Sequence, residues 1–261
     1  MGQQKNSRNP FEFKQFVVHQ NQVALPVTTD ACLFGAWIQL NQNDESLTVL
    51  DVGTGTGLLM FMLAQKYPSH QYIGIDIHGD SIIQATQSLK LWTVQGHPTS
   101  MRFEICDFLD FNHPKVDTIV CNPPFFNLQL ESPDPTRNKA RHSKNLTRHK
   151  LIKQSFELLN THGKLFLMLP FDGHKQVFID LRNQGFTITR TTSVSANANK
   201  SPHLIFIESL KTDAPIPLNE RRDSPTIQQL IAYNLPGELN SNPYNLTTES
   251  SDLLKDYYIK L

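Results

Sequence analysis

The chain has 261 residues, 39% of them apolar, enough for one sizeable core, and its 24 Lys+Arg balance its 24 Asp+Glu. That balance advertises no polyanionic partner, so any nucleic-acid contact must be a local patch. Three cysteines (Cys32, Cys106, Cys121) without Cys-x-x-Cys spacing speak against a metal site and for reduced thiols; Met1–Pro10 has no signal core and no apolar run reaches a membrane span. A cytoplasmic protein with no membrane partner and no metal is expected. After an N-terminal arm, residues 1–46, strand-like runs alternate with helical patterns: strand Leu47–Val52, helix Leu58–Tyr67, strand Tyr72–Ile77, helix Asp80–Trp92, strands Met101–Cys106 and Val116–Cys121. A polar stretch leads to helix Arg148–Leu159, strand Lys164–Leu169, helix Gly173–Asn183, and strands Phe186–Thr192 and Leu204–Leu210 with no helix between them.

This β-α-β alternation predicts an α/β fold: a mostly parallel, doubly wound, Rossmann-like sheet over residues 47–212, closed by an antiparallel edge hairpin. Residues 213–261 form a C-terminal extension, proline-rich and polar over Asp213–Tyr244, with one short strand at Thr226–Tyr233. In such a sheet ligands lie beyond the carboxyl ends of the strands, where the strand order reverses. Two loops open there.

The first is Asp51-Val52-Gly53-Thr54-Gly55-Thr56-Gly57. Its glycines allow a sharp turn and leave bare backbone next to a ligand, and the helix after Gly57 aims free N–H groups at the same place, which suits a carboxylate-bearing ligand. Asp76, at the end of the next strand, is placed to accept ribose hydroxyls, each charge-assisted bond contributing about 1.5–3 kcal/mol. Asp107 can take an adenine amino group, with Ile77 or Phe108 flanking the ring. These contacts describe S-adenosylmethionine. In competing readings the turn holds a dinucleotide or only reverses the chain, and Asp107 is a turn residue or helix cap.

The second loop, Asn122-Pro123-Pro124-Phe125-Phe126, carries the chemistry. An adenine amine is a poor nucleophile because its lone pair is drawn into the ring. The Asn122 side-chain oxygen and the Pro123 carbonyl can accept its protons and turn that lone pair toward a methyl donor. Pro124 stiffens the loop, and Phe125 can stack on the substrate, worth about 1–3 kcal/mol. The competing reading is a turn that plugs the core. Between Arg137 and Lys150 lie six basic residues (Arg137, Lys139, Arg141, Lys144, Arg148, Lys150) with His142 and His149 and no acid, suited to clamp a phosphate backbone beside a flipped base or, alternatively, simply a solvated loop.

Nearly the whole chain resembles the bacterial tRNA1(Val) N6-adenine methyltransferases. The matching residues are Phe11–Phe16, Val27–Asp30 leading into Leu33–Trp37, Asp51–Gly57, Asn122–Phe126, Lys139–Ser143 and Leu253–Tyr258. The glycine loop and the Asn-Pro-Pro-aromatic loop are common to many aminomethylating enzymes; the opening segment and the Lys-Ala-Arg-His-Ser run carry the family specificity. The resemblance implies a seven-stranded class I methyltransferase sheet and methylation of the adenosine 3′ of the anticodon, in a loop whose unpaired bases are cheap to extrude. It implies S-adenosylmethionine held by Asp51, Gly53, Thr54, Gly55, Gly57, Asp76, Ile77, Asp107, Phe108 and Asn122, capped by Lys14, Gln15 and Asp30 from the N-terminal side. Asn122, Pro123, Pro124 and Phe125 would present the amine, and Phe126, Arg137, Lys139, Arg141, His142, Lys144 and Arg148 would meet the anticodon stem-loop of the tRNA; a monomer is expected.

Two features depart from the pattern: the longer Asp213–Tyr244 segment, and Leu204 where a basic residue would follow Pro202-His203. Protein glutamine methylation remains an alternative, although that class carries a larger recognition domain before its glycine loop. So do ribosomal RNA or DNA adenine methylation, a silent RNA-binding module and a nicotinamide oxidoreductase.

Overall fold

The computed structural model describes residues 8–21, 23, 25–40, 46–97, 100–123, 146–212, 225–235 and 242–261. In chain order the elements are β1 (Phe11–Glu12), β2 (Val17–Val18), α1 (Thr29–Trp37), β3 (Thr48–Val52), α2 (Leu58–Lys66), β4 (Gln71–Asp76), α3 (Gly79–Val94), β5 (Ser100–Ile105) and β6 (Val116–Cys121). They continue as α4 (Arg148–Leu158), β7 (Leu159–Pro170), α5 (His174–Gln184), β8 (Phe186–Ser195), β9 (Leu204–Lys211), β10 (Ile227–Ile231) and α6 (Thr248–Leu254).

The main sheet has the order β10-β8-β9-β7-β6-β3-β4-β5, with β3, β4, β5, β6 and β7 parallel and β9 antiparallel to both β7 and β8. The expected seven strands are all present. An eighth is added where the C-terminal extension lays β10 parallel to β8, pairing Ile227 with Thr191 and Ile231 with Ser195. The order reverses between β3 and β6, which brings the ends of Asp51–Val52 and Cys121 side by side: Val52 pairs with Cys121 in parallel register. Both expected loops therefore leave the sheet at its switch point.

Strands buried on both faces read as continuous apolar runs, and the two faces are covered by two separate clusters. One joins Phe61, Trp92, Phe166 and Phe206 to helices α1 and α2 and to both chain ends; the other joins Leu50, Ile73, Ile119 and Leu167 to α4 and α5. The Phe-x-Phe-x-x-Phe opening packs on the first cluster. Phe13 and Phe16 stack with centroids 4.4 Å apart, and Phe13 lies 5.9 Å from Tyr258 near the C-terminus. Helix α1 is fixed at its far end by Arg190, whose guanidinium sits 3.8 Å from the Trp37 ring centre, donates to the Trp37 carbonyl and pairs with Glu208 at 3.0 Å.

Gly74 in β4 decides how the glycine loop is backed. It pairs with Phe103 on the edge strand β5, and a Cβ at Gly74 would stand 2.6 Å from the Phe103 ring and 2.7 Å from Thr54 Oγ1. The same ring reaches the position a Cβ on Gly57 would occupy, at 2.7 Å. A side chain at position 74 would push Phe103 into the loop. Gly74→Ala is expected to lower stability by about 1–3 kcal/mol, the usual range for overpacking. Paired with Phe103→Leu its effect should be less than additive, as read by urea denaturation of the single and double variants.

Candidate active site

A cavity of about 440 Å³ opens at the carboxyl ends of β3, β4 and β6. Of the residues expected around a cofactor, Asp51, Gly53, Thr54, Gly55, Asp76, Ile77, Asp107, Phe108 and Asn122 line it, together with Pro123. The glycines divide by role. Gly53 and Gly55 have φ of +72° and +56°, and a Cβ on either would meet nothing within 4 Å, so backbone conformation alone selects glycine there. Gly57, with φ +80°, is also a packing glycine under Phe103.

The loop spends its own N–H groups on the neighbouring strand. Gly53 and Thr54 both donate to the Ile75 carbonyl at 2.9 Å, and Gly55 donates to Asp76 Oδ2 at 2.9 Å. Asp76 Oδ1 accepts from the His78 N–H at 2.8 Å. Asp76 is thus the brace that ties the loop to β4, with each oxygen keeping one lone pair free for a ligand hydroxyl. The first bond of α2 runs from Phe61 N–H to the Gly57 carbonyl, so the N–H groups of Leu58–Met60 have no intrahelical acceptor. Leu58 and Leu59 line the cavity.

Asp51 is the opposite of Asp76. It is 1% exposed, and neither carboxylate oxygen has a hydrogen-bond partner in the protein. Burial pushes its pKa from 3.8 up to about 7; the nearby Thr54 hydroxyl opposes the shift without closing a hydrogen bond, and the negative field of Asp76 adds to it. A cationic or N–H-bearing ligand group facing this carboxyl would satisfy it. At the far end of the cavity Asp107 Oδ1 accepts from the Leu109 N–H at 2.9 Å, so it serves as a turn residue and lines the cavity as well. Phe108 is buried among the core side chains, whereas Ile77 is 59% exposed at the mouth.

The N-terminal wall differs from expectation. Leu25, Pro26, Val27 and Ala31 line the cavity, with Leu25 58% exposed and the Val27 N–H held by Gln20 Oε1 at 3.0 Å. Lys14 instead reaches the other chain end: its N–H donates to the Tyr257 carbonyl at 2.7 Å and its ammonium to the Lys255 and Leu261 carbonyls. Gln15 is exposed outside the cavity, and Asp30 Oδ2 accepts from His203 Nε2 at 3.3 Å. Cys106, Leu146 and Ser81 also line the cavity. Of the N-terminal wall, Val27 opens the Val27–Asp30 segment that matches the family, and Pro26-Val27 before the Thr28 cap of α1 is a local signal for a chain turning over a helix start.

Of the residues expected to meet RNA, Arg148 forms a partly buried ion pair with Asp180 at 2.7 Å that joins α4 to α5. Pro124, Phe125, Phe126, Arg137, Lys139, Arg141, His142 and Lys144 lie outside the described residues. Among the described residues no group of three or more His, Cys, Asp or Glu is arranged to hold a metal, and no helix is long and apolar enough to cross a membrane.

The raised pKa of Asp51 has a definite sign for stability. Below about pH 3.8 the group is protonated in both states; between about pH 4 and 7 the unfolded chain releases its proton while the folded chain keeps it. Ligand-free stability should therefore fall across that window, by about 4 kcal/mol from this group at 1.36 kcal/mol per pKa unit, and level off above it. Asp51→Asn should flatten that slope and raise the melting temperature of the ligand-free protein at pH 8, measured by thermal denaturation across pH 4–8.

Residues 43–201 match the family model described as a methyltransferase domain. Curated relatives named tRNA1(Val) (adenine(37)-N6)-methyltransferase include one from Vibrio campbellii, 32% identical over 77% of this chain and 82% of its own. One from Parabacteroides distasonis is 30% identical over 97% of this chain and 99% of its own, and one from Bacteroides fragilis is 35% identical over 78% and 85%. Among solved structures, a "predicted O-methyltransferase" from Agrobacterium tumefaciens superposes with a TM-score of 0.58 at 13% identity, covering 87% of this chain and 95% of its own. A methyltransferase from Pyrococcus furiosus gives 0.55 at 14% identity, covering 76% and 89%. These likenesses speak to the fold alone. The domain match and the relatives aligned along nearly the full length show that this chain belongs to the tRNA1(Val) (adenine(37)-N6)-methyltransferase family.

Proposed function

We propose that this protein transfers a methyl group from S-adenosylmethionine to the exocyclic N6 of the adenosine immediately 3′ of the anticodon in tRNA1(Val). The observation that carries the reading is the meeting of Asn122 and Pro123 with Asp51 and Asp76 around one cavity at the switch point of the sheet. Relatives named for this reaction align over almost the entire chain, which disfavours the protein-glutamine, ribosomal RNA and DNA alternatives that the Asn-Pro-Pro loop alone leaves open.

The residues present fit the cofactor. The Asp51 carboxyl, buried without a partner, matches the ammonium of a methionine moiety, and the free lone pairs of Asp76 match ribose hydroxyls. Asp107 and the apolar flanks of Ile77 and Phe108 match an adenine. When bound, S-adenosylmethionine supplies an electrophilic methyl group on a sulfonium.

The chain's own part is positioning. Asn122 follows directly from the buried strand β6, partly exposed at the cavity, where its amide oxygen and the Pro123 carbonyl can accept the two protons of the target amine. Holding those protons leaves the nitrogen lone pair pointing away from both acceptors, toward the donor. No strong base is required, because the amine becomes acidic as its bond to carbon forms.

Asn122→Ala should lower methyl transfer at least about 100-fold, of the order lost with one transition-state hydrogen-bond partner, while cofactor affinity stays within a few-fold. The test is labelled methyl transfer to unmodified tRNA with nucleoside analysis, alongside calorimetric binding; near-wild-type turnover would sink the assignment. Because Arg148 is committed to Asp180, the phosphate clamp should reside in Arg137, Arg141 and Lys144. Replacing those three with Gln should weaken tRNA binding and reduce the slope of log affinity against log salt, whereas Arg148→Gln should act chiefly on stability.

A further inference from the structure

The cavity runs from the β4–β5 side, lined by Asp76, Ile77 and Asp107, to the β3–β6 side, lined by Gly53 and Asn122. A substrate base reaching Asn122 must come from the side the cofactor does not fill, and the next strands outward are β7 and β9. The β6–β7 ladder ends where Cys121 pairs with Leu167, and continuing that register past the end of β6 would bring Pro123 level with Leu169. Phe171 is two residues further, about 7 Å beyond that level at the usual strand rise.

Phe171 is held at both of its backbone polar groups. Its N–H extends the β7–β9 ladder to the His203 carbonyl at 2.9 Å, and its own carbonyl accepts from His174 Nδ1 at 2.8 Å. The His174 ring lies 4.3 Å from the Phe171 ring and is itself set edge-on to the buried Phe178. The phenyl group leans on the α4–α5 side of the core and remains partly exposed. His203 is held between strands by its N–H bond to the Val194 carbonyl and linked at 3.3 Å to Asp30, the residue before the cavity-lining Ala31.

We propose that Phe171 is the fixed stacking surface for the target nucleotide, an unpaired purine, with His174 supporting its ring and the Asp30–His203 pair bounding the slot on the cofactor side. This rests on the methyl-transfer reading above. A ring already immobilised by the fold stacks on a base without first losing its own freedom, and every base offers a π face.

Phe171→Leu keeps the apolar contact with the core and removes the π face; Phe171→Tyr keeps the ring. Kinetics on unmodified tRNA, S-adenosylmethionine binding, and fluorescence quenching of 2-aminopurine placed at the target position of an anticodon stem-loop RNA would be measured for the wild type and both variants. Phe171→Leu is expected to lower kcat/KM for tRNA about 10- to 100-fold and to lose most of the quenching, Phe171→Tyr to stay within about threefold, and all three proteins to bind the cofactor equally. Wild-type behaviour of Phe171→Leu, equal loss in both variants, or a parallel loss of cofactor binding would overturn the assignment. A wild-type protein that quenches 2-aminopurine without methylating tRNA would refute the methyl-transfer reading while leaving Phe171 as a base-stacking residue; one that does not bind the RNA would overturn both.

Discussion

Burying a carboxyl group with no partner is unfavourable, and Asp51 is buried in that way at the centre of the sheet. The fold tolerates the strain because the group can hold its proton until something in the cavity supplies a charge or a donor. The surrounding structure can be understood as keeping that carboxyl dry, fixed and open on one side. Strands β4 and β6 flank β3 and bury it; Asp76 ties the glycine loop to β4 through Gly55, which fixes the loop as one wall of the cavity. Site strain of this kind is offset by packing elsewhere, here by two apolar clusters covering both faces of the sheet.

The two carboxylates divide the work. Asp76 accepts one backbone N–H on each oxygen and so braces the loop while keeping a lone pair free on each, whereas Asp51 has no protein donor. The spacing between them depends on Gly74 and Phe103, since a ring crossing a bare backbone position lets β4 and the loop approach closely. On the outer strands, a backbone bond from Phe171 N–H to the His203 carbonyl and one from His203 N–H to the Val194 carbonyl fix the two residues. In the proposed function and the proposed stacking surface together, cofactor and base would be met on opposite halves of one sheet edge, with Asn122 between them.

Legibility in the sequence followed the range of the interactions. The parallel core was readable because strands buried on both faces show as short apolar runs, and the glycine and Asn-Pro-Pro loops were readable because their chemistry is contiguous. Helix α1 shows no 3.6-residue pattern, because all of Ala31–Trp37 is buried and no face is left polar. Strand β10 was anticipated as a short strand, yet its parallel partner β8 was not, since a pairing across some thirty-five residues leaves no local trace. Lys14 and Asp30 fall in the same class. Their placement is set by contacts with Lys255, Leu261 and His203, far away in sequence, so the cavity wall passes to Leu25–Val27. Arg148 reads as part of a basic run until Asp180 on α5 claims it.

The central claim is that Asp51 is held protonated for a cationic ligand and releases its proton when that ligand binds. The direct measurement is calorimetric titration with S-adenosylmethionine at pH 6.5 in two buffers of different ionisation enthalpy, with the Asp51→Asn variant alongside. Release of a substantial fraction of a proton by the wild type, absent in the variant, is the predicted result. Binding with no proton release, or the same release from both proteins, would contradict it.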